Sequence, residues 1–184
     1  MFNGNSKNMK TKDIIFISLS VALMAVCSWI SIPLTVPITL QTFAVFTAVG
    51  LLGMRRGTAA VLVYIILGAI GLPVFAGFTG GIGILTGSTG GYIIGFVFSA
   101  IVVGFITKFF GRKQITLAIS MIAGLLVCYL FGTIWFMYFY TQKTGTVGFA
   151  TVLYWCVIPF IIPDTIKIFL SVFVVNRVSK HIKF

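Results

Sequence analysis

Six stretches of the chain are apolar enough to lie in a lipid bilayer: residues 14–32, 38–54, 57–77, 91–108, 115–140 and 150–177. A bilayer core about 30 Å thick offers no water to a peptide N–H or C=O, so a spanning segment must close its own hydrogen bonds, as a helix of roughly 20 residues. That requirement leaves few folds open. Apolar residues make up 59% of the chain and charged ones only 8%, against roughly 45–50% and about 25% in soluble domains. A water-soluble globule is excluded. The 184 residues suffice for one helical bundle with short loops, not for a soluble catalytic domain besides. The expectation is an all-α integral membrane protein with a single membrane domain over 1–184: a basic tail at 1–12 and a six-helix bundle over about 13–180. The second run is short and the sixth carries Pro159 and Pro163, so irregular backbone is expected in both.

Charge placement sets the expected topology. Lys7, Lys10 and Lys12 precede the first run, Arg55 and Arg56 join the second to the third, and Lys108, Arg112 and Lys113 join the fourth to the fifth. Arg177, Lys180 and Lys183 follow the sixth, so alternate connections hold 11 of the 13 basic residues. The opposite connections carry Lys143 alone. Basic residues stay cytoplasmic, which places both termini inside and requires an even number of spans. Trp29, Trp135 and Trp155 then fall at the outer interface, where indole sits well. The net charge of +11 is thus an orientation signal for the bilayer; it lies in clusters at the ends of apolar runs and not along one face, so nucleic acid is not a partner. Cys27, Cys128 and Cys156 lie inside apolar runs without metal-ligand or disulfide spacing and read as small buried hydrophobes. Met24-Ala25-Val26 before Cys27 is a poor lipoprotein cleavage site, and the first run reads as retained.

Few residues can carry chemistry. Asp164 is the one acidic residue beyond the N-terminal tail, and Lys167 follows at i+3, on the same helical face. Pro163 and Asp164 together suggest a helix N-terminus there. Thirteen residues separate Asp164 from Arg177, roughly 20 Å of helix, which puts Asp164 in the outer part of the core and Lys167 near its middle. Two readings stand: an ion pair that pins the helix, or a ligand site. The second is favoured because the pair lies beside two neutral outer connections, PLTVPITLQT at 33–42 and FTGGIGILTGSTGGY at 78–92. Backbone of that kind survives at membrane depth only against protein or a water-filled cavity.

Gln41 and Thr42 either start a helix, with Thr39 or Thr42 as cap, or project an amide into the cavity. Thr89-Gly90-Gly91-Tyr92 opens the fourth run with free amides, and Gly91 and Gly95 make a small-residue packing motif. Ser18 and Ala22 form a second such stripe, suited to docking a partner helix. The phosphate-loop pattern is absent, as are spare acids for Mg²⁺, any His/Cys metal cluster, and the groups for acid–base catalysis; the single histidine, His181, lies in the tail. Neither an ATPase nor an enzyme is expected, and no metal or cofactor.

Taken together, PITLQT, GLPVFAGFTGGIGILTGSTGGYIIGF and PDTIK resemble the BioY family, the biotin-binding S components of energy-coupling-factor (ECF) vitamin transporters. Ser88 stands where that family commonly has proline, in G-P-T-G-G-Y. The resemblance implies a six-helix S component of a prokaryotic plasma membrane that captures biotin on the outer side. It further implies biotin contacts at Gln41, Thr89, Gly90, Tyr92, Asp164 and Lys167, with Phe43, Phe75 and Tyr92 covering the ring. Uptake would then draw on a transmembrane coupling protein and two cytoplasmic ATPases. The alternative is a carrier or facilitator that works alone.

Overall fold

A computed structural model describes residues 11–145 and 147–180. Lys7, Lys10, His181 and Lys183 lie outside the described residues. The apolar runs fold as helices, and five stretches are long and apolar enough to cross a membrane: 11–29, 41–69, 90–110, 114–142 and 149–179. Helix α1 is Thr11–Trp29, α2 Gln41–Ala69, α4 Gly90–Phe110 and α5 Gln114–Thr144. The last stretch is two helices, α6 Phe149–Cys156 and α7 Ile158–Ser179. A two-stranded hairpin, β1 Ser31–Ile32 with β2 Ile38–Thr39, and a one-turn helix, α3 Ile82–Leu85, lie in the connections.

The second and third apolar runs belong to the one helix α2, but it does not run straight. Gly53 has φ 78° and ψ 179°, a backbone state open to glycine and costly for any residue with a Cβ. The chain doubles back there. Gly57 lies so close to Val49 that an added Cβ would overlap the Val49 backbone. Further along, Gln41 Nε2 donates to Tyr64 Oη at 3.0 Å, although 23 residues of straight helix would hold them roughly 34 Å apart. The turn falls at Gly53 and not at the Arg55-Arg56 pair because only glycine takes that φ. Arg112, from the α4–α5 link, donates to Leu51 O at 2.9 Å and so satisfies a carbonyl that the turn releases. Arg56 pairs with Asp13 at 3.0 Å, gathering the basic links of α1, α2 and α4 at one end of the bundle.

The tryptophans mark the opposite end. Trp29 Nε1 donates to Pro73 O at 2.8 Å, and its ring stacks on Phe78. Trp135 Nε1 donates to Gly87 O at 3.0 Å, and Trp155 meets Tyr140 edge-on. Helices α4 and α5 pack closely because Gly91 lies against Trp135 and Gly95 against Cys128, as the small-residue motif predicts.

Two local expectations are corrected, the end of the third run and the place of Pro163 and Asp164, while the irregular backbone expected in the sixth run is present. The third run stops being helical at Ala69, where Gly71 (φ 106°) turns the chain and Leu72 N–H closes back on Leu67 O, and residues 70–81 form a link with one 3₁₀ turn at Ala76–Phe78. The sixth run breaks at Val157 (φ −124°, ψ −53°), with Pro159 just inside the new start. Pro163 and Asp164 are therefore in the interior of α7, not at its N-terminus.

Candidate ligand site

Gln41, at the first turn of α2, is positioned by the hairpin that precedes it. Leu40 N–H donates to both Cys27 O and Ile30 O, at 3.1 and 3.2 Å, and Thr39 Oγ1 accepts from Gln41 N–H at 3.2 Å. Gln41 is the first residue of the helix, with Leu40 and not a threonine at the capping position, and its side chain, part of the cavity wall, reaches inward to Tyr64 through its amide. That tyrosine donates onward to Val74 O at 2.8 Å, where Ser28 Oγ also donates at 2.5 Å. These bonds clamp the 70–81 loop and seat Phe75, 1% exposed, on the Tyr64 ring and over Gly68.

Asp164 and Lys167 share the inner face of α7 and are 2% and 4% exposed. Lys167 Nζ donates to Asp164 Oδ1 at 2.6 Å, and Tyr129 of α5 donates to Oδ2 at 2.5 Å. A buried carboxylate is tolerated only with such partners. Tyr92 of α4 meets Thr133 Oγ1 at 3.2 Å, and Cys128 Sγ–H points to Tyr92 O.

These elements enclose a cavity of about 160 Å³ at the tryptophan end. Gln41, Phe75, Thr89, Tyr92, Asp164 and Lys167 all line it. Both neutral connections contribute walls, Val36, Pro37 and Thr39 from the first and Thr79, Ile84 and Thr89 from the second. Gly90 and Phe43 are not on the wall. Gly90 is where the chain enters α4 pressed onto Leu85, so that a Cβ would overlap the Leu85 carbonyl. Phe43 packs against the core and receives Ser171 Oγ–H on its own carbonyl at 3.3 Å. Sequence reasoning missed Tyr129, Phe160 and the placing of Cys128 and Cys156 on the wall. For Tyr129 the one available signal was a hydroxyl deep in an apolar run, which must find a partner. Among the described residues no group of three or more His, Cys, Asp or Glu could hold a metal ion.

Together these features mark out a class of protein, an apolar helical bundle that buries an acceptor carboxylate and a donor ammonium on the wall of a small, loop-covered cavity. Comparison with known proteins narrows the class. The BioY family model matches residues 4–184. A probable biotin transporter BioY of Pyrococcus horikoshii is 41% identical over 93% of this chain and 98% of its own. The biotin transporter BioY of Thermotoga maritima is 40% identical over 92% and 96%. The 2.1 Å crystal structure of the S-component for biotin from an ECF-type ABC transporter superposes with a TM-score of 0.84 at 29% identity, covering 94% of this chain and 95% of that one. The chain belongs to the BioY family. It is a multi-pass protein of a prokaryotic plasma membrane, and its relatives are named as transporters, not enzymes.

Proposed function

We propose that this chain is the biotin-binding S component of an ECF-type transporter, one membrane domain that captures biotin on the outer side and depends on partner subunits for uptake. The observation that carries the proposal is the buried Asp164–Lys167 pair on the wall of the cavity. Biotin has a cyclic urea that donates through N–H and accepts through C=O, a carboxylate tail, and an apolar thioether ring. Asp164 supplies an acceptor, Lys167 donors, and Phe75 and Tyr92 apolar cover; Gln41 and Thr89 complete the polar wall. Gly90 and Phe43 support this site from behind. The decisive test is titration of biotin into the purified chain in detergent, with riboflavin and thiamine as controls. Saturable binding of biotin alone is expected; equal or absent binding of all three overturns the reading.

The doubled-back α2 counts as two crossings, which gives six spans with both ends of the chain cytoplasmic. Arg56 and Arg112 at one end of the bundle and the three tryptophans at the other support that orientation. A cysteine placed near Lys143 should react with impermeant reagent from outside, and one near Arg56 only from inside. Reversed labelling at either position refutes the topology.

The driving force would come from a transmembrane coupling protein and two cytoplasmic ATPases. The exposure of the small residues Ser18 and Ala22 on α1, a face suited to a partner helix, favours this over a carrier that works alone. The purified chain should hydrolyse no ATP, and hydrolysis that survives removal of contaminating ATPases would contradict it. Biotin uptake by the chain in a host without any coupling module would favour the stand-alone carrier.

A further inference from the structure

Asp164 projects from the middle of a helix, where backbone N–H groups are already spent on the helix itself. Its carboxylate is therefore oriented by side chains alone. Lys167, one turn along the same helix, holds Oδ1 through a flexible four-carbon stem, and a point charge of that kind leaves the carboxylate plane free to turn. Tyr129 comes from a different helix, on a rigid ring, and donates to the other oxygen at 2.5 Å. Tyr129, Asp164 and Lys167 all line the cavity.

We infer that Tyr129 is a positioning residue for ligand recognition, acting through Asp164. Two donors on two different oxygens fix the carboxylate plane. A carboxylate has about four acceptor sites, so one remains on each oxygen, held toward the cavity for a ligand N–H. The inference rests on the biotin reading above and assigns to the site a member that makes its contribution without touching the ligand.

Tyr129→Phe keeps the ring and removes only the hydroxyl. Biotin is titrated into the unaltered protein, Tyr129→Phe, Asp164→Asn and the two combined; if Asp164→Asn does not fold, Lys167→Met is added to both proteins that carry it. The readout is the affinity of the folded fraction, which a packing role alone would not move. Tyr129→Phe is expected to weaken biotin binding roughly tenfold with Asp164 intact, and less than about twofold once Asp164 is neutral, because residues acting as a unit are not additive. Equal losses in both backgrounds would mean that Tyr129 acts on its own, and no loss in the first would mean that it does not act; either result overturns the inference. No biotin binding by the unaltered protein overturns the biotin reading itself, and the inference with it.

Discussion

Asp164→Asn should weaken biotin binding by about ten- to a hundredfold, the worth of a charge-assisted hydrogen bond of roughly 1.5–3 kcal/mol. Its effect on folding is expected to be large as well. Asparagine leaves Lys167, 4% exposed, without its anion, and breaking a buried pair from one side costs about 3–5 kcal/mol. The double variant Asp164→Asn with Lys167→Met separates the two effects. Removing both charges leaves no stranded ammonium, so folding should recover while biotin affinity stays weakened, still measurable, by at least the ten- to a hundredfold of the single change. A well-folded double variant with near-native affinity would show that the pair serves α7 alone, and isothermal titration beside a thermal melt decides it.

The second large effect is expected at Gly68, a position without polar chemistry. An alanine Cβ there would overlap the Phe75 ring, which lies 5.6 Å from the Tyr64 ring centroid and borders the cavity. Overpacking of this kind costs about 1–3 kcal/mol. Here the strain falls on the ligand site, because Tyr64 also holds Gln41 and Val74. Gly68→Ala should lower biotin affinity more than tenfold and reduce the melting temperature. Trimming the ring in Gly68→Ala with Phe75→Leu should restore the melting temperature better than the affinity. An unchanged affinity in Gly68→Ala would mean that Phe75 is no working part of the wall.

The helical spans could be read from the chain because lipid imposes one rule on every residue in contact with it, and that rule writes itself into composition. The Asp164–Lys167 pair was readable for the same reason: a charge in an apolar run is costly, and i+3 spacing fixes the shared face. What could not be read depends on contacts between distant segments. Nothing near Tyr129 in sequence announces Asp164, 35 residues on. Phe43 and Phe75 look equivalent as aromatic candidates, yet one faces the core and the other the cavity, because only Phe75 sits on a loop clamped by Ser28, Trp29 and Tyr64. Gly90 stands out by its motif, but nothing in that motif announces how closely it is pressed against Leu85. Pro163 misled by a different route. Proline favours a helix start, and the start it suggested was supplied by Pro159 instead.

The turn at Gly53 turns chain length into a measuring instrument. Gln41 and Tyr64 meet because they stand nearly equal distances from the turn, 12 and 11 residues away, and Val49 and Gly57 meet on the same count, four on each side. One residue inserted into either arm would rotate everything beyond it by about 100° and shift it by about 1.5 Å, swinging the Tyr64 hydroxyl off Gln41 and Val74 together. The hairpin therefore tolerates exchange of letters far better than any change in their number. Insertions and deletions are therefore expected to spare the stretch from Gln41 to Tyr64.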